Sequence, residues 1–182
     1  MSARQRLAKL ATAIRTCKKC RLHRTRRTPV VGEGSPEANY MFVGEAPGRE
    51  EDLQGRPFVG AAGRILTEAL QNSGITREEV YITNIVKCRP PGNRDPAPDE
   101  VSACLPYLLA QIDIIKPAGI CLLGRIALNA ILGLNSISRA RGRFFKWDKI
   151  KVFPTYHPAA TIYKPDLRDI FFSDIKRFFT EV

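Results

Sequence analysis

The residues best suited to chemistry fall into two groups: cysteines near turns, and polar or aromatic residues placed where strands should end. Cys17 and Cys20 form a Cys-Lys-Lys-Cys pair at the expected end of a first helix. Two thiolates spaced this way can chelate one metal centre. Cys88 and Cys104 flank a loop rich in Pro, Gly and Asn. The fifth cysteine, Cys121, lies in the apolar run Gly119–Leu123 and reads as a small core residue. Cys17, Cys20, Cys88 and Cys104 are therefore candidates for one site, with unrelated free thiols as the plain alternative. Zinc and a [4Fe–4S] cluster both accept four thiolates, and spacing does not choose between them.

The second group gathers on Gly44-Glu45-Ala46-Pro47-Gly48 and the stretch that follows it, through Glu51, Gly55-Arg56-Pro57-Phe58 and Gly60-Ala61-Ala62-Gly63. The apolar run Tyr40–Val43 before it reads as a buried parallel strand, and Arg64–Leu70 after it has helical spacing. Open α/β sheets place ligands between such elements, at strand carboxyl ends. Small residues let backbone N–H groups approach a ligand, and Pro47 and Pro57 stiffen the loop. A connection far longer than the usual two to six residues points to a functional loop rather than a plain link. Asn84 stands at the end of a second strand, Val80–Asn84, and His157 follows a last strand, Lys151–Thr155. Asn can pair in a bidentate way with an amide-like base edge, Phe58 can stack on a flat ring, and His with backbone N–H groups can stabilise an oxyanion. Together they suit a pocket that holds a pyrimidine and takes negative charge from it. A Ser-His-Asp order, a GxxxxGK[ST] loop and a GxGxxG fingerprint are all absent.

The elements that must position these groups read as one domain spanning residues 1–182. Ser2–Ile14 is a basic amphipathic helix, with Leu7, Leu10, Ala11 and Ile14 on one face. Asp99 is the expected cap of a helix running to about Lys116, in which Pro106 predicts a kink or an earlier break. Gly119–Leu123 is a third strand, and Gly124 begins a helix to about Leu132. The segment from Arg139 to Trp147 resembles a basic β-ribbon, and Ile170, Phe171, Ile175, Phe178 and Phe179 mark a final amphipathic helix. The charge balance, 29 Lys+Arg against 18 Asp+Glu for a net +11, favours a polyanion partner such as nucleic acid. The run Arg21–Arg27 reads as a phosphate-contacting surface or a solvated loop. With no bilayer-length apolar run and no signal-peptide core, the chain is expected to be intracellular and cytoplasmic, and its cysteines to stay outside a disulfide framework.

In their order and combination, the Cys17–Cys20 pair, Gly44–Gly48, Gly55–Gly60, Asn84 with Lys87-Cys88-Arg89-Pro90-Pro91, Cys104, and His157-Pro158-Ala159 resemble the motifs of the family 4 uracil-DNA glycosylases over nearly the whole chain. The resemblance implies an α/β fold, a three-layer αβα sandwich with a small central parallel sheet. It implies a [4Fe–4S] cluster on Cys17, Cys20, Cys88 and Cys104. It implies a uracil pocket in which Phe58 stacks, Asn84 reads the base edge, His157 lies near the oxygen that gains charge, Glu51 crowds the C5 face, and Glu45, Ala46 and Pro47 border the base. Thr161, Ile162 and Tyr163 are candidates for the residue that wedges into DNA.

The expected enzyme is monofunctional: it flips deoxyuridine out of single- or double-stranded DNA, releases uracil and leaves an abasic site. Glu45 and His157 are its catalytic candidates, and a monomer is expected. Arg24, Arg26, Arg27, Arg141 and Arg143 are the candidates for backbone contacts on uracil-containing DNA. Two rivals remain from the residues alone. A non-catalytic nucleic-acid-binding module with structural zinc explains charge and cysteines but not Asn84, Phe58 and His157 at strand ends. A nucleotide hydrolase on the same fold leaves the basic run unexplained.

Overall fold

The computed structural model describes residues Met1–Val182. Ser2 caps α1 (Ala3–Arg15) reciprocally: its hydroxyl accepts from Gln5 N at 3.2 Å, and the Gln5 side chain accepts from Ser2 N at 2.9 Å. There follow β1 (Glu33–Gly34), β2 (Tyr40–Gly44), α2 (Arg49–Gln54), α3 (Ala61–Asn72), β3 (Tyr81–Asn84), α4 (Pro98–Ile115) and β4 (Gly119–Leu123). The chain ends with α5 (Arg125–Leu132), α6 (Ile137–Ala140), β5 (Phe145–Trp147), β6 (Ile150–Thr155), α7 (Ala160–Tyr163) and α8 (Leu167–Glu181).

The strands form a six-stranded sheet in the order β1-β3-β2-β4-β6-β5. The four central strands are parallel, and β1 and β5 close the edges antiparallel. Side chains alternate between two cores, as strand geometry requires. Met41, Val43, Ile120 and Leu122 face α1, α4 and α5 through Ile14, Leu108, Ile112 and Ala127. Phe42, Ile82, Cys121, Leu123 and Phe153 face α3 and α8 through Leu66, Leu70, Phe171 and Phe178. Helices thus cover both faces, giving three layers, and the central strands read as unbroken apolar runs because neither face meets water. Burying each large side chain, Phe178 for example, contributes about 1.5–3 kcal/mol.

Register brings the carboxyl ends level. Gly44 pairs with Asn84, and Leu123 pairs with Thr155. After β2 the chain goes to β3 on one side, then crosses to β4 on the other, so the switch of strand order falls at Gly44. That is where such sheets open a crevice. Pro154 is tolerated in β6 because β5 pairs no further than Val152, leaving no strand to need its missing N–H.

Several local expectations are corrected. The long loop after Gly44 contains α2, whose first turn carries Glu50, Glu51 and Asp52 beside the positive end of the helix dipole. α3 starts at Ala61 rather than Arg64. Glu100, not Asp99, secures the start of α4: its carboxylate accepts from Ala97 N at 2.8 Å, and Asp99 lies inside the helix. Pro106 does not end α4. Both Pro106 and Ser102 lie on its exposed face, so the carbonyl freed by the missing N–H turns to water. The hairpin β5–β6 is real, but Arg139 belongs to α6, and Lys146 pairs with Lys151 at the end of the sheet opposite the crevice. No helix is long and apolar enough to cross a membrane.

Candidate active site

The crevice at the strand ends is a cleft of about 600 Å³. It brings together Glu45, Ala46, Pro47, Glu51, Phe58, Asn84 and His157, residues at or after the ends of three strands and up to 112 positions apart in sequence. Asn93, Arg94, Asp95 and Tyr163 complete much of its wall.

Asn84 is its anchor. The residue is 2% exposed, and its Oδ1 is buried with no hydrogen-bond partner, alone among buried side-chain polar atoms. A buried unmet acceptor costs about 1–3 kcal/mol, a penalty that a matching donor relieves. Gly44 makes room for it: a Cβ there would lie 2.5 Å from both Asn84 Oδ1 and Phe58 Cζ. The Phe58 ring lies 5.6 Å from the His157 ring at 28°, close to parallel. Glu51 does something the sequence did not suggest. Its Oε1 accepts from Val59 N and Gly60 N, both at 3.0 Å, and so ties α2 to the turn that carries Phe58. This loop-bracing contact is what the structure gives Glu51, alongside its place in the cleft wall.

His157 Nδ1 accepts from Ala159 N at 3.1 Å, which assigns the proton of the neutral ring to Nε2. Burial pulls its pKa down to about 4, only partly countered by the Glu51 charge, so the ring is neutral at pH 7. It presents one N–H donor without a positive charge. Gly124 at φ 94° permits this loop to approach, since a Cβ there would meet His157 Cβ at 3.0 Å. Glu45 is shifted the other way. Burial, and then the neighbouring charge of Asp95, push its carboxyl up to about 7, while Arg125 opposes. Asp95 is itself held by Arg125 Nη2 at 2.7 Å.

Lys87 was not foreseen. Burial lowers its pKa to about 7. Yet the residue is 1% exposed, and its Nζ donates to Thr83 Oγ1, Asn84 O and Gln111 Oε1 at 2.6–2.7 Å. Committed to three acceptors and closed off from the cleft, it is no nucleophile.

The cysteine region lies at the foot of α1. Cys17, Cys20, Cys88 and Cys104 line one narrow cavity with His23, Arg26 and Tyr107. Three N–H groups already point at sulfur: Arg26 Nη1 to Cys88 at 3.2 Å, Lys87 N to Cys104 at 3.2 Å and Lys19 N to Cys17 at 3.5 Å. Burial raises the Cys88 thiol and takes that of Cys104 to about 11, with neighbouring sulfurs adding to both shifts. A cationic centre would reverse that balance, and the donor set fits one. No three His, Cys, Asp or Glu side chains converge closely enough to ligate a single metal ion.

Of the arginines expected at DNA phosphates, Arg24, Arg27 and Arg143 are exposed. Two are engaged elsewhere. Arg26 donates to Cys88 Sγ and to Arg15 O, and Arg141 pairs with the buried Asp174, which also accepts from Thr155 Oγ1 at 2.7 Å. Arg21, inside the basic run, likewise binds Glu100 and Asp99. Among the wedge candidates Thr161 is buried, whereas Ile162 is 46% and Tyr163 84% exposed, and of these Tyr163 lines the cleft.

The family model for the Uracil DNA glycosylase superfamily matches residues 31–180. A type-4 uracil-DNA glycosylase of Archaeoglobus fulgidus is 50% identical over 173 residues, covering 90% of this chain and 87% of that protein. One from Sulfurisphaera tokodaii is 50% identical over 181 residues, 94% of this chain and 82% of the relative. One from Thermotoga maritima is 46% identical over 183 residues, 97% and 95% respectively. With the crevice at the strand switch point and the four-cysteine cavity beside it, these matches establish that the chain belongs to the type-4 branch of the uracil-DNA glycosylase superfamily.

Proposed function

We propose that this protein removes uracil from DNA by hydrolysing its N-glycosidic bond, leaving an abasic site. The observation that carries this reading is the orphaned Asn84 Oδ1 at the floor of the cleft. Uracil offers an N3–H donor to that oxygen and an O4 acceptor to the amide N–H; cytosine offers the reverse pattern. Flipping the nucleotide out of the stack brings the base into the cleft, where Phe58 covers one face.

Bond breaking leaves positive character on the sugar and negative charge on the leaving uracil. His157 Nε2–H and the backbone N–H groups of the Glu45–Gly48 loop are the donors available to that charge. A neutral imidazole is suited to donate here without transferring its proton to the base. Glu45, bordering the cleft with Asp95, is the group available to orient water and to offset the sugar's charge. Lys87 is sequestered and the residues lining the cleft include no lysine, which supports a monofunctional reading.

Cys17, Cys20, Cys88 and Cys104 would hold a [4Fe–4S] cluster, whose part is structural, since hydrolysis moves no electrons. Tyr163, exposed and lining the cleft, and the exposed Ile162 before it are the side chains available to fill the gap left by the flipped base. Arg24, Arg27 and Arg143 remain free for DNA phosphates.

The test is incubation with a uracil-containing oligonucleotide followed by alkali. Strand breaks appear only after alkali and only where uracil was present. Asn84→Asp slows uracil excision by about 1–3 kcal/mol, or 5- to 150-fold, and begins to admit cytosine. Unchanged uracil kinetics in Asn84→Asp would remove that residue from the base pocket.

A further inference from the structure

Phe58 occupies the left-handed region of the backbone map, at φ 50°. A bulky residue stays there only where its surroundings enforce it. The enforcement comes from both sides of the turn. On the amide side stands Glu51, bound to Val59 N and Gly60 N. On the carbonyl side stands Arg77, which lies in the turn between α3 and β3 and is 14% exposed. Its Nη1 donates to Phe58 O at 2.8 Å, and its Nη2 donates to Pro57 O at 2.7 Å. The same guanidinium binds Thr67 Oγ1 on α3 at 3.2 Å and Glu33 Oε1 on β1 at 2.7 Å. Glu33 is in turn held by Arg56 at 2.9 Å. α3 presses on the same carbonyl, since a Cβ on Gly63 would lie 1.9 Å from Phe58 O.

We propose that Arg77 is a positioning residue for base excision: its guanidinium grips two successive carbonyls and so holds the Phe58 ring at the angle needed to stack on the flipped base. This rests on Phe58 being the stacking partner of uracil. The geometry asks for a planar fork. Lysine offers a point charge on a flexible stem and cannot reproduce four donors aimed at two carbonyls, a hydroxyl and a carboxylate. Arg77 reaches no base itself, so its influence passes through Phe58. A purely fold-holding Arg77 would instead act on stability, with no particular dependence on that ring.

A double-mutant cycle separates the two roles. Arg77→Ala and Arg77→Lys are made in the wild-type protein and in Phe58→Leu, and each is assayed for single-turnover excision, inhibition by free uracil and melting temperature. Arg77→Ala slows excision by about 10- to 10²-fold, the scale of a misplacement near 1 Å, and weakens inhibition by free uracil. In the Phe58→Leu background the same change adds less than about 3-fold, because the ring it positions is gone. Guanidinium chloride well below denaturing concentration restores part of the rate to Arg77→Ala and none to the double variant. Equal losses in the two backgrounds overturn the proposal, as does wild-type excision by Arg77→Ala. If Phe58→Leu itself excises at the wild-type rate, the stacking assignment fails and takes the proposal with it; that result differs from additivity and identifies which step was wrong. Should Arg77→Ala not fold, Arg77→Lys carries the same cycle.

Discussion

The cysteine region and the cleft meet within a few residues of each other, between Asn84 and Cys88, yet they treat polar groups in opposite ways. Around the cysteines everything is matched. Glu100, fully buried, accepts from Arg21, twice from Arg94 and from Ala97 N. Lys87 finds three oxygens, and three N–H groups point at sulfur. In the cleft the key groups are held but unmet: Asn84 Oδ1 has no partner, and His157 uses one ring nitrogen on its own loop, leaving the other for a ligand. Satisfied buried networks rigidify, whereas an unsatisfied polar atom in a rigid setting is ready to bind. Under the proposed function, the first region serves as a brace and the second as a preorganised receptor.

That contrast is broken or sharpened most strongly at His157. His157→Ala is expected to slow single-turnover excision by about 10²–10³-fold, the usual loss for a donor that acts on developing charge. Melting temperature and affinity for uracil-DNA are expected to change little. A stable, DNA-binding His157→Ala protein with near wild-type excision would sink the catalytic role. Because its pKa lies near 4, His157 contributes no titration to the rate between pH 5 and 8. A rate limb near pH 7 is instead expected from Glu45 and to disappear in Glu45→Gln.

The brace has the complementary signature. Glu100→Gln is expected to lower stability by about 1.5–3 kcal/mol, the scale of hydrogen bonds to a charged group, while excision per folded molecule stays level. The pH dependence follows from its pKa, which the Arg94 hydrogen bonds lead in lowering to about 2. A carboxyl depressed in the folded state stabilises above its unfolded pKa, and that stability is lost as pH falls from about 4.3 towards 2. Acid unfolding followed by circular dichroism should show Glu100→Gln lacking this part of the loss. Excision that falls in step with stability would erase the distinction between the two regions.

The smallest effect concerns the surface. Neutralising Arg24 and Arg27 should reduce the log–log salt slope of duplex-DNA binding by about 0.9 for each phosphate contact removed. Neutralising Arg26 should instead disturb the cysteine region, since its guanidinium is directed at Cys88 and not outward. An unchanged slope in the Arg24, Arg27 double variant would mark the run as a solvated loop.

Much of this architecture was legible in the chain itself. The apolar runs at Tyr40–Val43, Val80–Asn84, Gly119–Leu123 and Lys151–Thr155 declare buried parallel strands because a strand covered on both faces has no reason to alternate. Glycine and proline punctuation marked the loops, and polar residues just past strand ends marked Glu45, Asn84 and His157. The four cysteines separated from Cys121 on local composition alone. What only the tertiary structure decided was who pairs with whom. Arg21, Arg26 and Arg141 read as free cations in sequence, but each meets its partner across 33 to 79 positions. Glu51, with its loop amides eight and nine residues on, and Arg77, with two carbonyls about 20 residues back, carry no local signal. Hydrophobic period and turn chemistry are properties of neighbouring residues, so they survive in one dimension. The satisfaction of a buried charge or an orphan amide depends on what the folded chain brings alongside it, and that exists only in three.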